Sequence, residues 1–195
     1  MKHRLAIFVS GNGTNAEAIM NYFRDHALIE VDLLLTNNPN AYAIERAKKS
    51  GVPSKVFSRE EFRGEDVVRL LASRGVTHVV LAGFLWLIPE NLIKAYPDHI
   101  INIHPALLPK YGGKGMYGLK VHEAVRASGD TRTGITIHLV NTQYDEGEIL
   151  AQESVEVEST DTPEEIASKV HELEYKYYPV VIEKWVNAEV APRIR

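Results

Sequence analysis

Asn102 and His104 stand two positions apart in the run Ile-Ile-Asn-Ile-His of residues 100–104, which Pro105 interrupts. An apolar run rich in β-branched residues predicts a strand, and the proline marks its end. Side chains at i and i+2 of a strand share a face, so this amide and imidazole point the same way at the strand's C-terminal edge. An amide that donates and accepts, beside a ring that titrates near neutrality, suits a reaction in which an oxyanion forms and a proton moves. Asp145, in Tyr144-Asp-Glu-Gly147, is a candidate third member. A carboxylate beside His104 would favour the imidazolium and orient the ring. The same Asp-x-Gly stretch also reads as a plain turn, and spacing alone does not bring it to His104.

The elements that must position these groups alternate between strand and helix. Apolar runs at residues 5–9, 31–35, 54–57, 78–82 and 100–104 predict strands, and periodic segments at 16–23, 41–50, within 60–73 and after Pro89 predict helices. Such alternation implies a mainly parallel sheet with right-handed crossovers, in whose C-terminal edge ligands bind. After residue 104 the pattern changes. A glycine- and proline-rich loop spans 105–118, a helix covers about 121–127, and strand runs at 134–140 and 149–157 lie close enough to pair antiparallel. Thr162-Pro-Glu-Glu165 is a capping box with proline at the first helical position, so a long helix starts there and runs toward Trp185. The expected class is α/β: three layers, a Rossmann-like, mainly parallel sheet, an antiparallel C-terminal extension and a long C-terminal helix.

Gly11-Asn-Gly-Thr-Asn-Ala16 follows the first strand and opens a helix. Glycines let backbone N–H groups approach an anion, and the helix N-terminus adds a positive dipole. A dinucleotide site would also want an acidic residue ending the second strand, where this chain has Leu35-Thr36-Asn37. A monophosphate is therefore the better ligand for this turn, with a ligand-free tight turn as the plain alternative.

At 195 residues, 45% hydrophobic and 25% charged, the chain suits one globular domain. A net charge of −4 argues against nucleic acid as the main partner, and the lack of cysteine removes thiol nucleophiles and thiolate metal sites. No apolar run approaches the roughly 20 residues of a membrane span. A cytoplasmic location is expected.

Taken together, Ser10-Gly-Asn-Gly-Thr-Asn15, Leu81-Ala-Gly-Phe84, Ile101-Asn-Ile-His-Pro-Ala-Leu-Leu-Pro-Lys-Tyr111, Gly134-Ile-Thr-Ile-His138 and Asp145-x-Gly147 resemble the folate-dependent formyltransferase family over about residues 4–186. The glycine-rich opening and Glu174-Tyr-Lys-Tyr-Tyr-Pro179 are similar to the branch that formylates phosphoribosylglycinamide (GAR). The resemblance implies one domain over 1–195, with a phosphate-binding half of about 1–100, a catalytic and folate half of about 101–186 and a tail over 187–195. It implies attack of the GAR amine on the formyl carbon of 10-formyltetrahydrofolate, a co-substrate rather than a tightly bound cofactor. Asn102 and protonated His104 would stabilise the tetrahedral oxyanion. Asp145 would raise the histidine pKa and help move protons through water. Gly13, Thr14 and Asn15 match the phosphate loop, and Gly83 and Glu174 match positions holding the glycinamide and ribose. Leu85, Trp86, Leu87 and Ile88, with Asn102 and Arg59, match the folate side. No metal, nucleic-acid or membrane partner is implied, and the chain would be a monomer or homodimer.

Among the other histidines, His138 shares a strand face with Thr136 and reads first as a structural, hydrogen-bonded residue. His122 and His171 fall on helices and are expected at the surface. Trp185 and the tyrosines at 175, 177 and 178 are expected to anchor the terminal helix. Formyltetrahydrofolate deformylases and sugar-amine formyltransferases would use the same trio, whereas a nucleotide-binding oxidoreductase would need the missing ribose acid.

Overall fold

In a computed structural model that describes residues 2–188, the apolar runs form strands β1 (His3–Val9), β2 (Ile29–Thr36), β3 (Ser54–Val56), β4 (His78–Leu81), β5 (Ile100–His104), β6 (Arg132–Leu139) and β7 (Ile149–Glu156). The helices between and after them are α1 (Thr14–Phe23), α2 (Ala43–Lys49), α3 (Arg59–Arg63), α4 (Asp66–Ser73), α5 (Glu90–Ala95), α6 (Leu119–Ser128) and α7 (Pro163–Ala188). The strands make a seven-stranded sheet in the order β3-β2-β1-β4-β5-β6-β7. The first five are parallel, and β6 pairs antiparallel with both β5 and β7, as the change of pattern after residue 104 predicts. Chain order reverses between β1 and β4, which leaves a crevice outside their C-terminal ends.

Burial on both faces explains why β1 lacks polar alternation. Leu5, Ile7 and Val9 enter one core with Ala16, Ile19, Val125, Ile166 and Ile182 from α1, α6 and α7. Ala6 and Phe8 enter the other with Phe62, Leu71 and Leu92 from α3, α4 and α5. Helices on the two faces complete the three expected layers. Tyr178, fully buried on α7, donates its hydroxyl to the carbonyls of Leu81 (2.9 Å) and Ile101 (3.4 Å), tying the helix to β4 and β5 beneath the crevice.

Two expectations change. The helix expected within 60–73 is two helices, because Ser58 and Glu61 form a capping box that starts α3 and Gly64 then leaves helical conformation (ψ −162°). The carbonyl of Gly64 accepts Asn91 Nδ2 at 2.5 Å, which fixes the break against α5. The capping box at Thr162 and Glu165 forms as expected, but α7 continues through Ala188, so residues 187 and 188 are helical rather than tail. The rest of the expected tail, 189–195, lies outside the described residues.

Candidate active site

The register of β5 against β6 sets Asn102 opposite His138 and His104 opposite Thr136. Strand alternation puts all four on one face. Asn102, His104 and His138 line a cleft of about 730 Å³, whose other walls include residues 11–15 after β1, 83–88 after β4, 113–119, and the loop carrying Asp145. The anion turn, the apolar segment after β4 and the strand pair thus open into one space.

Asp145 reaches His104. Its Oδ2 lies 3.5 Å from His104 Nδ1 and accepts the backbone N–H of Gly113 at 2.9 Å, while Oδ1 lies 3.6 Å from His138 Nε2. The loop that delivers it is tightly closed. Residue 145 has a φ of 57°, a left-handed conformation that aspartate adopts more readily than most residues. At Gly147 a Cβ would sit 1.6 Å from the Leu139 carbonyl oxygen, so only glycine fits.

The ring nitrogens are assigned by their partners. His104 Nε2 donates to the Tyr111 carbonyl at 2.7 Å, leaving Nδ1 toward the carboxylate. His138 Nδ1 donates to the Leu139 carbonyl at 2.8 Å, so its Nε2 carries the lone pair and accepts Asn102 Nδ2 at 3.2 Å. That bond orients the amide and leaves a second Nδ2 hydrogen for a ligand.

Burial dominates the protonation of His104 and lowers its pKa below 6.5; Asp145 and the Tyr111 carbonyl pull it up, and His138 pushes it further down. The carboxylate thus acts in the anticipated sense, but desolvation is larger. Asp145 shows the opposite balance. Burial pushes its carboxyl up, yet the neighbouring His138 and His104 rings and the Gly113 N–H together hold it below the ordinary range.

At the other end of the cleft Gly13 caps α1 with φ 76°, and no side chain caps that helix. A Cβ on Gly13 would stand 2.5 Å from the Ala43 Cβ, so glycine is required by space as well as conformation. Asn15 Nδ2 donates to Glu174 Oε2 at 2.8 Å. Burial pushes the Glu174 carboxyl up to about 7, with the Asn15 bond opposing it.

Gly83, Leu85, Trp86, Leu87 and Ile88 all line the cleft, and Leu85 and Leu87 remain 47% and 42% exposed within it. Arg59 does not line it; its guanidinium lies over the Trp86 ring, 4.5 Å from the centroid. His122 needs the larger correction: it is buried at 2% exposure and lines the cleft rather than the outer surface. His171 is exposed, as expected, while it also borders the cleft. Burial, helped by His171 and His104, lowers the His122 pKa to about 4. Val121, His122 and Val125 form the buried stripe of α6, a helical spacing that marks residue 122 as inward-facing. Tyr178 anchors α7 as expected, but Tyr175 is exposed. Among the described residues, no group of three or more His, Asp or Glu side chains could hold a metal ion.

A formyl transferase family profile matches residues 3–182. The chain belongs to the formyl transferase family. This family member is 35% identical over 187 residues to phosphoribosylglycinamide formyltransferase of Bacillus subtilis (strain 168), covering 93% of each chain. It is 45% identical over 188 residues to the chloroplastic phosphoribosylglycinamide formyltransferase of Arabidopsis thaliana, covering 93% of this chain and 64% of the plant protein. The chain thus spans just under two thirds of that relative's length. The crystal structure of phosphoribosylglycinamide formyltransferase from Bacillus halodurans superposes with a TM-score of 0.84 at 37% identity, covering 93% of this chain and 94% of that one. No helix among the described residues is long and apolar enough to cross a membrane.

Proposed function

We propose that the protein transfers the formyl group of 10-formyltetrahydrofolate to the amine of GAR, a step of de novo purine biosynthesis. One observation carries the reading: the Asp145–His104–Asn102 constellation shares a cleft with an uncapped helix N-terminus and a buried carboxylate, Glu174, at the opposite end. The phosphate of GAR would meet the backbone N–H groups of residues 13–15, and Glu174 would accept from ribose hydroxyls. The apolar segment 85–88 would wall the pterin, with Arg59 acting through Trp86.

In the proposed step the amine nitrogen attacks the formyl carbon, and the carbonyl oxygen becomes an oxyanion. Its donors are the free Nδ2 hydrogen of Asn102 and, once the ring is protonated, Nδ1–H of His104. Nδ1 is the assigned donor because Nε2 is committed to Tyr111. Asp145 stabilises the imidazolium when it forms and relays the amine proton, through water, toward the leaving N10 of the folate. Attack forms the new C–N bond; collapse of the tetrahedral intermediate restores the carbonyl and breaks the C–N10 bond, with N10 leaving protonated. Two substrates held in one cleft supply the remaining rate by orientation.

The deciding comparison offers GAR, water alone and a sugar amine as acceptors with 10-formyltetrahydrofolate. GAR-dependent tetrahydrofolate release is the expected result. Equal turnover without GAR would make the protein a deformylase, and turnover only with the sugar amine would move it to that class.

A further inference from the structure

We infer that Arg46 on α2 is a positioning residue for the anion-binding turn, holding its N–H groups toward the cleft and cancelling a competing carboxylate. The inference rests on reading residues 11–15 as the GAR phosphate site. Two carbonyls of that turn face α2: Gly11 accepts the N–H of Ala43 at 3.3 Å, and Asn12 accepts Arg46 Nε at 2.9 Å. In a planar trans peptide the carbonyl and the following N–H point in opposite directions. Each bond therefore turns the next N–H, that of Asn12 and that of Gly13, away from α2. Arg46 Nη2 also donates to Asn12 Oδ1 at 3.1 Å, so one guanidinium grips both the backbone and the side chain of this residue.

The same guanidinium answers an electrostatic problem. Glu17 lies in the first turn of α1, where a carboxylate competes with an incoming anion for the positive helix end. Arg46 Nη1 is paired with Glu17 Oε2, and the Arg46 side chain is only 17% exposed, with Tyr42 beneath its guanidinium at 5.0 Å. A planar fork is needed to hold Asn12 and Glu17 together, and lysine has none.

The test measures KM for GAR and for 10-formyltetrahydrofolate, kcat, the thermal midpoint and inorganic phosphate affinity in wild type, Arg46→Lys, Arg46→Met and Arg46→Met/Glu17→Gln. Arg46→Met is expected to raise KM for GAR roughly 10- to 100-fold, the range for losing charge-assisted hydrogen bonds. Its kcat and folate KM should stay within about 3-fold of wild type, as expected when uniform binding is lost. Arg46→Lys should fall between, and Glu17→Gln should recover part of the loss in the Met background. An unchanged GAR KM, or a parallel loss of kcat and both KM values with a lowered midpoint, overturns the inference. If wild type does not use GAR, the proposed function fails, and phosphate titration decides the inference alone: weakened binding in Arg46→Met supports it and unchanged binding overturns it.

Discussion

Asn102 and His138 are partners across antiparallel strands, with the amide nitrogen 3.2 Å from a ring nitrogen whose opposite side is anchored to the Leu139 carbonyl. The amide is thereby held before any substrate arrives, which is what electrostatic preorganisation requires of an oxyanion donor. His138→Phe keeps the ring volume and removes the acceptor. It should lower kcat about 10- to 100-fold, somewhat less than deleting an oxyanion donor outright, and leave both KM values within about 3-fold. Steady-state kinetics check this, and a rise in GAR KM at constant kcat would contradict it.

Asp145→Asn keeps the shape of the side chain but cannot stabilise an imidazolium. Turnover should fall about 10²- to 10⁴-fold, the range of general acid–base contributions. Calorimetric affinity for GAR should change little. Preserved turnover with lost affinity would make Asp145 a binding residue.

Glu174 makes stability depend on pH. Its carboxyl titrates at about 7 in the fold against an ordinary 4.5, so between those values the folded state binds the proton more tightly. The stability from this group is full below pH 4.5 and is lost as pH rises through 7. Glu174→Gln removes that loss, so its thermal midpoint should exceed wild type by more at pH 8 than at pH 4.5, while GAR affinity drops about 10-fold with the charged acceptor gone. His122 has the opposite sign: with a pKa of about 4 against 6.5, its contribution is full above pH 6.5 and is lost toward pH 4. Melting curves at both pH values check the pair.

Gly13→Ala should destabilise the fold by about 1–3 kcal/mol, the usual cost of strained backbone, and raise GAR KM with it. Urea titration reads the first effect and kinetics the second. A neutral result would mean that α2 moves aside at Ala43.

Trp86→Ala should raise KM for 10-formyltetrahydrofolate about 10-fold by removing an aromatic wall. Arg59→Ala should have a smaller effect, because Arg59 meets Trp86 and does not line the cleft.

Much of this architecture was legible because it depends on local periodicity. Residues 100–104 fold as the strand they predict, and the change of pattern after Pro105 marks where the sheet turns antiparallel. The Asp145–His104 distance was not legible, since it depends on a turn whose closure requires Gly147 against Leu139, a contact between separate segments. His138 is the hydrogen-bonded residue expected, but its Asn102 partner is set by cross-strand register, which spacing along one strand does not carry. His122 departs from the surface expectation for another reason: a helix in this fold can bury a polar residue against a cleft, and polarity alone then points the wrong way. The net pKa of His104 likewise depends on burial, which no motif carries.

Parallel pairing gives way to antiparallel pairing between β5 and β6, and the two ends of the cleft inherit different rules from that change. Before it, each parallel strand contributes a connecting turn, and under the proposed function the phosphate would meet main-chain groups largely indifferent to side-chain identity. After it, neighbouring strands present side chains to one another at every second position, so a one-residue slip of β6 would swing His138 to the opposite face. Under the proposed function, acceptor preference would drift by rewriting turns such as 11–15, whereas the chemistry assigned to Asn102, His104 and His138 would be locked to a two-residue rhythm that admits substitution but not insertion.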